Sequence, residues 1–426
     1  MSKPIYRVAM LSVHTCPLAV LGGKEAGGMN VYVRELSREL GRRGIQVDVF
    51  TRAQSSITPF THTLSENARI IHLPAGPLKP YNKKDVFYHL PEFVQNITNF
   101  QHCEKRPYNL IHAHYWLSGW AGLSLRKKWG TPVVQMFHTM AHFKNATLHS
   151  EAEREPDLRI ERESELMQRV DRIITATPME KAQLNWKCNV PTDKIETIPC
   201  GVDLKLFRPW PQAEARARLG LTARRVVLLV GRIDPIKGVD VLIEAARRLI
   251  VERGWGAEDF QVLVVGGGNT PGQDENPEAQ RLHALVEGQG LSQQIRFLPS
   301  APQPQMPLFY SAADITVMSS HYESFGMAAL ESQACGTPVV ASRVGGLPYA
   351  VQDGCSGLLF GDNEAEELSD KLGLLFDNPA YRRTLGLQAV MRAEQFGWRT
   401  IADRMLEVYQ DLTGSLGRDA LVGTLP

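Results

Sequence analysis

The stretch "RVVLLVGRIDPIKG", residues 225–238, runs from Arg225 through an unbroken apolar run into a turn built from Gly, Asp, Pro and Gly, with Arg232 and Lys237 between the two glycines. A strand that is apolar throughout, rather than at every second position, has both faces covered, which is the signature of a parallel sheet flanked by helices. The run continues in "FQVLVVGGG" (260–268), "IRFLPS" (295–300), "ADITVMSS" (313–320), "PVVASRVGG" (338–346) and "GLLF" (357–360). Helix-period segments lie between the strands, so residues 212–398 read as one doubly wound α/β domain.

The same pattern precedes it. "YRVAMLS" (6–12), "QVDVFT" (46–51), "ARIIHLP" (68–74), "YNLIHAH" (108–114), "TPVVQMFH" (131–138), "DRIITAT" (171–177) and "IETIPCG" (195–201) form a first series, interleaved with helical stretches such as 29–43. Residues 1–211 are thus a first domain of the same class, and "GVDLKLFRPW" (201–210) leads into the second. From 363 to about 415 the pattern is helical only, and 399–426 is expected to hold a helix that returns to the first domain, followed by a tail. A length of 426 residues suits two domains.

Composition narrows the partners. The chain has 47 basic and 46 acidic residues, a net charge of +1. This balance is no footprint for nucleic acid or an anionic membrane and points to small-molecule ligands. Cys16, Cys103, Cys188, Cys200, Cys335 and Cys355 are scattered without a CxxC pair and read as reduced thiols. No apolar run approaches the ~20 residues of a membrane span, and the first residues lack a signal-peptide core, so a cytoplasmic location is expected. Oligomeric state is left open.

In open parallel sheets, ligands sit at the carboxyl ends of strands. After the first strand comes "HTCPLAVLGGKEAGGMN" (14–30), in which Gly27 and Gly28 directly precede a helix whose amides favour an anion. Arg232 and Lys237 follow the first strand of the second domain, where a diphosphate would need neutralising. "HYESFGMAALES" (321–332) carries Glu323 and Glu331 on either side of a Ser-Phe-Gly-Met turn that opens a helix. Two carboxylates for hydroxyls and two cations for phosphates suit a nucleoside diphosphate sugar held in a cleft between the domains. His112, His114, His138 and His142 have spacings that could hold zinc, but neither segment supplies a third ligand, so no metal site is expected.

"ESFGMAALE" (323–331), with "EAGGMN" (25–30), "VGRIDPIKG" (230–238), "QACGTPVVASRVGG" (333–346) and "DGCSGLLF" (353–360), resembles in content, order and spacing the retaining GT-B glycosyltransferases of family 4. The resemblance covers nearly the whole chain. It implies two Rossmann-like domains facing each other across a cleft, a UDP-sugar donor such as UDP-glucose and no required cofactor. Position by position it implies Glu331 on the ribose and Glu323 on donor-sugar hydroxyls, with the backbone of Ser324, Phe325, Gly326 and Met327 around the sugar and phosphate. It places Arg232 and Lys237 on the departing diphosphate, Arg296 near the base, and His138 beside donor sugar and acceptor in the reacting centre. The chain has no Asp-x-Asp, and the two cations take the part a metal would play.

For the acceptor, two subfamilies share features with this chain. "GKEAGGMNVYV" (23–33) and "KKDVFYHLPEFV" (83–94) resemble sucrose-phosphate synthases, which use fructose 6-phosphate. "HYWLSGW" (114–120) and "FHTMAHFKN" (137–145) resemble the inositol-phosphate glycosyltransferases of mycothiol synthesis, where the positions matching Lys83, Tyr115, Thr139 and Arg159 hold a phosphate. Lys144, His14 and Asn30 complete the candidate acceptor set. The resemblance leans to sucrose 6-phosphate synthesis, with N-acetylglucosamine transfer to inositol phosphate as the alternative. From other classes, a noncatalytic nucleotide-sugar sensor would keep the same residues, whereas a nicotinamide dehydrogenase would show a GxGxxG after the first strand, which is missing.

Overall fold

The structure is a computed structural model that describes residues 6–19, 27–79, 83–146, 154–266 and 276–414. Its chain separates into two compact units: one holds the described residues up to Pro199 together with those from Trp398 onward, and the other holds Cys200–Gly397.

The first unit is built on an eight-stranded sheet. Its strands are β1 (Arg7–Leu11), β2 (Gln46–Arg52), β3 (Thr61–Ser65), β4 (Ala68–Leu73), β5 (Leu110–His114), β6 (Val133–Met136), β7 (Arg172–Thr175) and β8 (Ile195–Thr197). They lie in the order β3-β4-β2-β1-β5-β6-β7-β8. All neighbours are parallel except β3, which runs antiparallel to β4. Sequence reading overlooks β3 because "THTLS" is exposed or half-buried throughout and carries no apolar pattern. Central β1, by contrast, is buried along its full length.

The second unit has a six-stranded, wholly parallel sheet: β9 (Arg225–Val230), β10 (Phe260–Val265), β11 (Ile295–Leu298), β12 (Ile315–Met318), β13 (Val339–Ser342) and β14 (Gly357–Phe360), ordered β11-β10-β9-β12-β13-β14. Helix Val239–Arg253 and helix Ala365–Asp377 pack against it through Leu242, Ile243, Ala246, Leu368 and Leu372, all fully buried.

The unit begins at Cys200, ahead of the residue 212 expected from the strand series. Residues 202–210 carry no strand pattern, yet they are committed to this unit. Phe207 is buried against Tyr310, the Trp210 amide donates to Ser311 Oγ at 3.2 Å, and the Val202 amide donates to Phe396 O at 2.9 Å. That last bond ties the two ends of the unit together.

The region after residue 363 is helical, in Ala365–Asp377, Pro379–Glu394 and Trp398–Thr413. The last of these returns to the first unit and is fastened there by its own side chains. Trp398 packs edge-on against Tyr32 at 5.4 Å, Asp403 accepts from Arg43 Nε at 2.8 Å, and the Tyr409 hydroxyl bonds to buried His112 Nδ1 at 2.7 Å. No helix among the described residues is long and apolar enough to cross a membrane.

Tyr409→Phe leaves a fully buried imidazole without this partner. The expected cost is about 1–3 kcal/mol, the penalty for an unsatisfied buried polar group. Urea unfolding reads it as a lower midpoint at constant slope, and an unchanged midpoint would show that this bond does not hold the helix.

Candidate functional site

In each sheet the chain winds outward in both directions from a central pair of strands, so the loops after that pair diverge and leave a crevice. The pair is β9 and β12 in the second unit, and β1 and β5 in the first.

The β9 and β12 loops carry the charged residues of the second unit. Lys237 Nζ lies 2.6 Å from Glu323 Oε2, joining the two loops across the crevice. The backbone beneath is stitched as well. The His321 amide donates to Ile236 O at 2.8 Å, and Ser319 Oγ donates to Gly238 O at 2.6 Å. Gly238 is in the left-handed region (φ +57°), and a Cβ there would stand 2.1 Å from Ser319 O, so no other residue fits. A third loop, after β13, supports Glu323 from behind: the Gly346 amide donates to Glu323 O at 2.8 Å, and a Cβ on Gly345 would sit 1.9 Å from the same oxygen.

Burial alone would raise the Glu323 carboxyl. The Lys237 ammonium and donation from the Phe325 and Gly326 backbone outweigh it and hold the group below its ordinary value. Ser324 is half-buried in the turn. Phe325 is buried and packs on Tyr349 and Phe396, so its ring anchors the turn and only its backbone remains for a ligand. Gly326, at φ +98°, caps helix Met327–Ala334. Glu331, in that helix's second turn, accepts from the buried Tyr310 hydroxyl at 2.8 Å, which orients its carboxylate. Arg232 is half-buried just beyond the end of β9. Arg296 is exposed on β11, the edge strand, with β10 between it and β9.

In the first unit, His14 follows β1 and packs at a tilt against Tyr115, which follows β5, with ring centroids 4.4 Å apart. Gly27 caps helix Gly28–Arg42. Asn30 is bonded into its own loop. Its Nδ2 donates to Thr15 Oγ1 and Cys16 O, both at 2.7 Å, and its Oδ1 accepts from the Gly27 amide at 2.9 Å. With the amide consumed, Asn30 shapes the loop and has no donor left for a substrate. Lys83 opens the short helix Lys83–Val86, and its side chain lies outside the described residues.

Tyr115 (φ 74°) and His138 (φ 61°) are both left-handed without being glycine. Such backbone is costly and collects at functional sites. At His138 it forms a three-residue turn, closed by the Thr139 amide donating to Phe137 O at 2.7 Å. Burial pushes the His138 imidazole down to about 3. It is therefore neutral at physiological pH, suited to positioning and hydrogen bonding rather than to charge stabilisation. Its Nε2 is 3.0 Å from Nδ1 of His114, whose Nε2 faces Met10 Sδ. His114 is a buried, bonded core residue, and among the described residues no His, Cys, Asp and Glu cluster could hold a metal.

Behind the His138 turn, Arg159 is almost wholly buried, with its guanidinium over the Tyr115 ring at 4.6 Å. It donates to Thr139 O at 2.8 Å and Thr139 Oγ1 at 3.2 Å, and it pairs with Glu163 at 2.6 Å and Glu155 at 3.0 Å. Glu155 also pairs with Lys144 at 3.0 Å. Tyr115, Thr139, Lys144 and Arg159 are thus brought together, along with two carboxylates that the sequence reading missed. For Glu163 the signal was present in "EPDLRIERE" (155–163), where it stands four residues after Arg159 within helix Asp157–Arg169, the spacing of a helical ion pair, whereas Glu155 lies before the helix begins.

The family model described as Glycosyltransferase Family 4 matches residues 26–206, and that described as Glycosyl transferases group 1 matches residues 211–390. A D-inositol 3-phosphate glycosyltransferase of Saccharomonospora viridis is 41% identical over 97% of this chain and 96% of its own. The protein of that name from Thermomonospora curvata is 40% identical over the whole of both chains. Among solved structures, a sucrose-phosphate synthase from Thermosynechococcus elongatus is 35% identical, with a TM-score of 0.87 over 96% of this chain and 99% of its own.

The Lys237–Glu323 pair carries a pH signature. Because the folded carboxyl is held below 4.5, its contribution to stability is complete above the unfolded carboxylate value and is lost as pH falls through the lowered folded one. Glu323→Gln is expected to cost about 1.5–3 kcal/mol at pH 7, with the difference from wild type shrinking below about pH 4. Urea midpoints of both proteins across this range test it, and a difference independent of pH would contradict it.

Proposed function

The chain belongs to glycosyltransferase family 4, with the GT-B fold, and from that premise we propose that it moves a hexosyl group from a nucleoside diphosphate sugar to a small phosphorylated polyol, with retention at the anomeric carbon. The observation that carries this reading is the Lys237–Glu323 contact across the β9/β12 crevice, which sets a cation and a hydroxyl-seeking carboxylate 2.6 Å apart at the ligand edge of the second sheet.

In this reading Lys237 and Arg232 stabilise the charge that develops on the departing diphosphate, the largest single source of rate enhancement for such a reaction. Lys237 has three N–H donors, so its bond to Glu323 leaves donors for a phosphate oxygen. Glu323 takes donor-sugar hydroxyls, and Glu331, oriented by Tyr310, takes the ribose. The backbone of Ser324, Phe325, Gly326 and Met327 lines the sugar and phosphate, and Gly27 and Gly28 present helix-terminal amides. A covalent glycosyl-enzyme would need a carboxylate at the anomeric carbon. Glu323 is committed to the sugar hydroxyls, so the acceptor attacks on the leaving-group face and the donor phosphate receives its proton. His138, neutral and held by its strained turn, positions the reactants.

The acceptor phosphate is assigned to Tyr115, Thr139, Lys144 and Arg159, with Lys83 from the neighbouring helix and His14 beside Tyr115. D-inositol 3-phosphate is the first candidate, with UDP-N-acetylglucosamine as donor, because relatives 37–41% identical over nearly the whole chain bear that acceptor's name. This displaces the lean towards fructose 6-phosphate drawn from local motifs. Fructose 6-phosphate with UDP-glucose is the second reading, supported by the 35% identity to a sucrose-phosphate synthase.

A matrix of UDP-glucose and UDP-N-acetylglucosamine against inositol 3-phosphate, fructose 6-phosphate and their unphosphorylated forms, read by UDP release and product mass, is expected to give one phosphorylated product. UDP binding without release in any combination would favour a sensor. Lys237→Ala should lower kcat by roughly 10² or more. An unchanged kcat would move the diphosphate elsewhere.

A further inference from the structure

The two carboxylates on Arg159 differ in what else holds them. Glu163 is locked: one oxygen takes Arg159 Nε at 2.6 Å, the other accepts from the Ala141 amide at 2.8 Å, and the side chain is 2% exposed. Glu155 is held differently. Its backbone is clamped to Asn145, whose Oδ1 accepts from the Glu155 amide at 2.9 Å and whose Nδ2 donates to Glu155 O at 3.0 Å. Its carboxylate spans two cations, with one oxygen 3.0 Å from Arg159 Nη1 and the other 3.0 Å from Lys144 Nζ, a side chain 27% exposed. That is the bridging geometry a phosphate group adopts between an arginine and a lysine.

From this arrangement, and resting on the acceptor-phosphate reading above, we infer that Glu155 is a resident counter-ion in the acceptor's phosphate subsite, displaced from Arg159 and Lys144 by the phosphate it stands in for. The charges make it a filter. Arg159 and Lys144 are balanced by Glu155 and Glu163, so an incoming monoanion only exchanges one carboxylate-like charge for another and gains little. A dianionic phosphate brings a second charge to the same two cations and displaces the glutamate. A neutral polyol leaves it in place. The displacement needs only side-chain rotation, because the Asn145 clamp keeps the Glu155 backbone where it is. Glu155 is thus a specificity-determining residue that selects the acceptor by the charge of its phosphate.

Glu155→Gln keeps the shape and removes the charge. The KM for the phosphorylated acceptor should fall about tenfold, the size expected when one nearby like charge is removed from a partly buried site. The inhibition constant of inorganic phosphate should fall in parallel, kcat should stay within about twofold, and acetate, inert towards wild type, should become an inhibitor. Glu155→Asp, whose shorter arm cannot bridge both cations, should shift the same quantities the same way by less. Wild-type enzyme supplies a test that needs no variant: inorganic phosphate should compete with the acceptor, and acetate at equal ionic strength should not.

Equal inhibition of wild type by acetate and phosphate would overturn the inference, as would variants whose KM is unchanged or raised while wild type still prefers phosphorylated acceptors. In both cases the acceptor reading survives, with Glu155 as an ordinary structural ion pair. Equal use by wild type of phosphorylated and unphosphorylated acceptors would instead remove the acceptor reading itself, and the inference with it.

Discussion

A parallel strand reaches its neighbour only through a crossover, and a sheet covered on both faces needs crossovers on both sides, so somewhere in the sheet the winding must reverse. That constraint governs this protein twice. At β9/β12 and again at β1/β5, two loops leave adjacent strand ends in opposite directions, and each crevice collects polar side chains among otherwise apolar strands. What distinguishes the two crevices is how each is kept open. In the second unit the walls are sewn together by the His321 amide on Ile236 O and the Ser319 hydroxyl on Gly238 O, with the Lys237–Glu323 pair above them. Glycines at 238 and 345 are required because neighbouring carbonyls occupy the space a side chain would take.

The first unit solves a different problem, which is to hold a buried arginine. A guanidinium removed from water is costly unless its donors are met and its charge is balanced. Arg159 has both: Glu163 and Glu155 supply the charge, Thr139 two acceptors, and the Tyr115 ring a face for the cation. The network also supports the strained turn at His138, since Thr139, its last residue, is held by Arg159. Strain, buried charge and the ends of the central strands therefore coincide in one place, which is where a ligand-binding function is expected in such a sheet.

The returning C-terminal helix links fold and site. Tyr409 bonds His112 in the middle of β5, and Trp398 packs on Tyr32, whose ring in turn meets His114 and His138 edge-on. The last described helix thus reaches His138 through one aromatic ring. Local pattern showed that this helix exists. What it rests on could be read only from side chains some 300 positions earlier, such as His112.

The sequence alone determined the fold class, the two domains and the identity of the key loops, because buried parallel strands impose unbroken apolar runs and loop chemistry requires particular residues next to them. It located Lys237 and Glu323 in the loops after their strands, His138 at a strand end, Glu331 inside a helix and Arg159 near a helix start. It missed β3, whose exposed edge position imposes no pattern, and the bonds that tie Asn30 into its own loop. Only the tertiary structure decided which charges neutralise one another. Pairing across 86 positions, as between Lys237 and Glu323, leaves no local spacing to read, and Glu155 reaches Arg159 from outside its helix, a contact that helical spacing does not set.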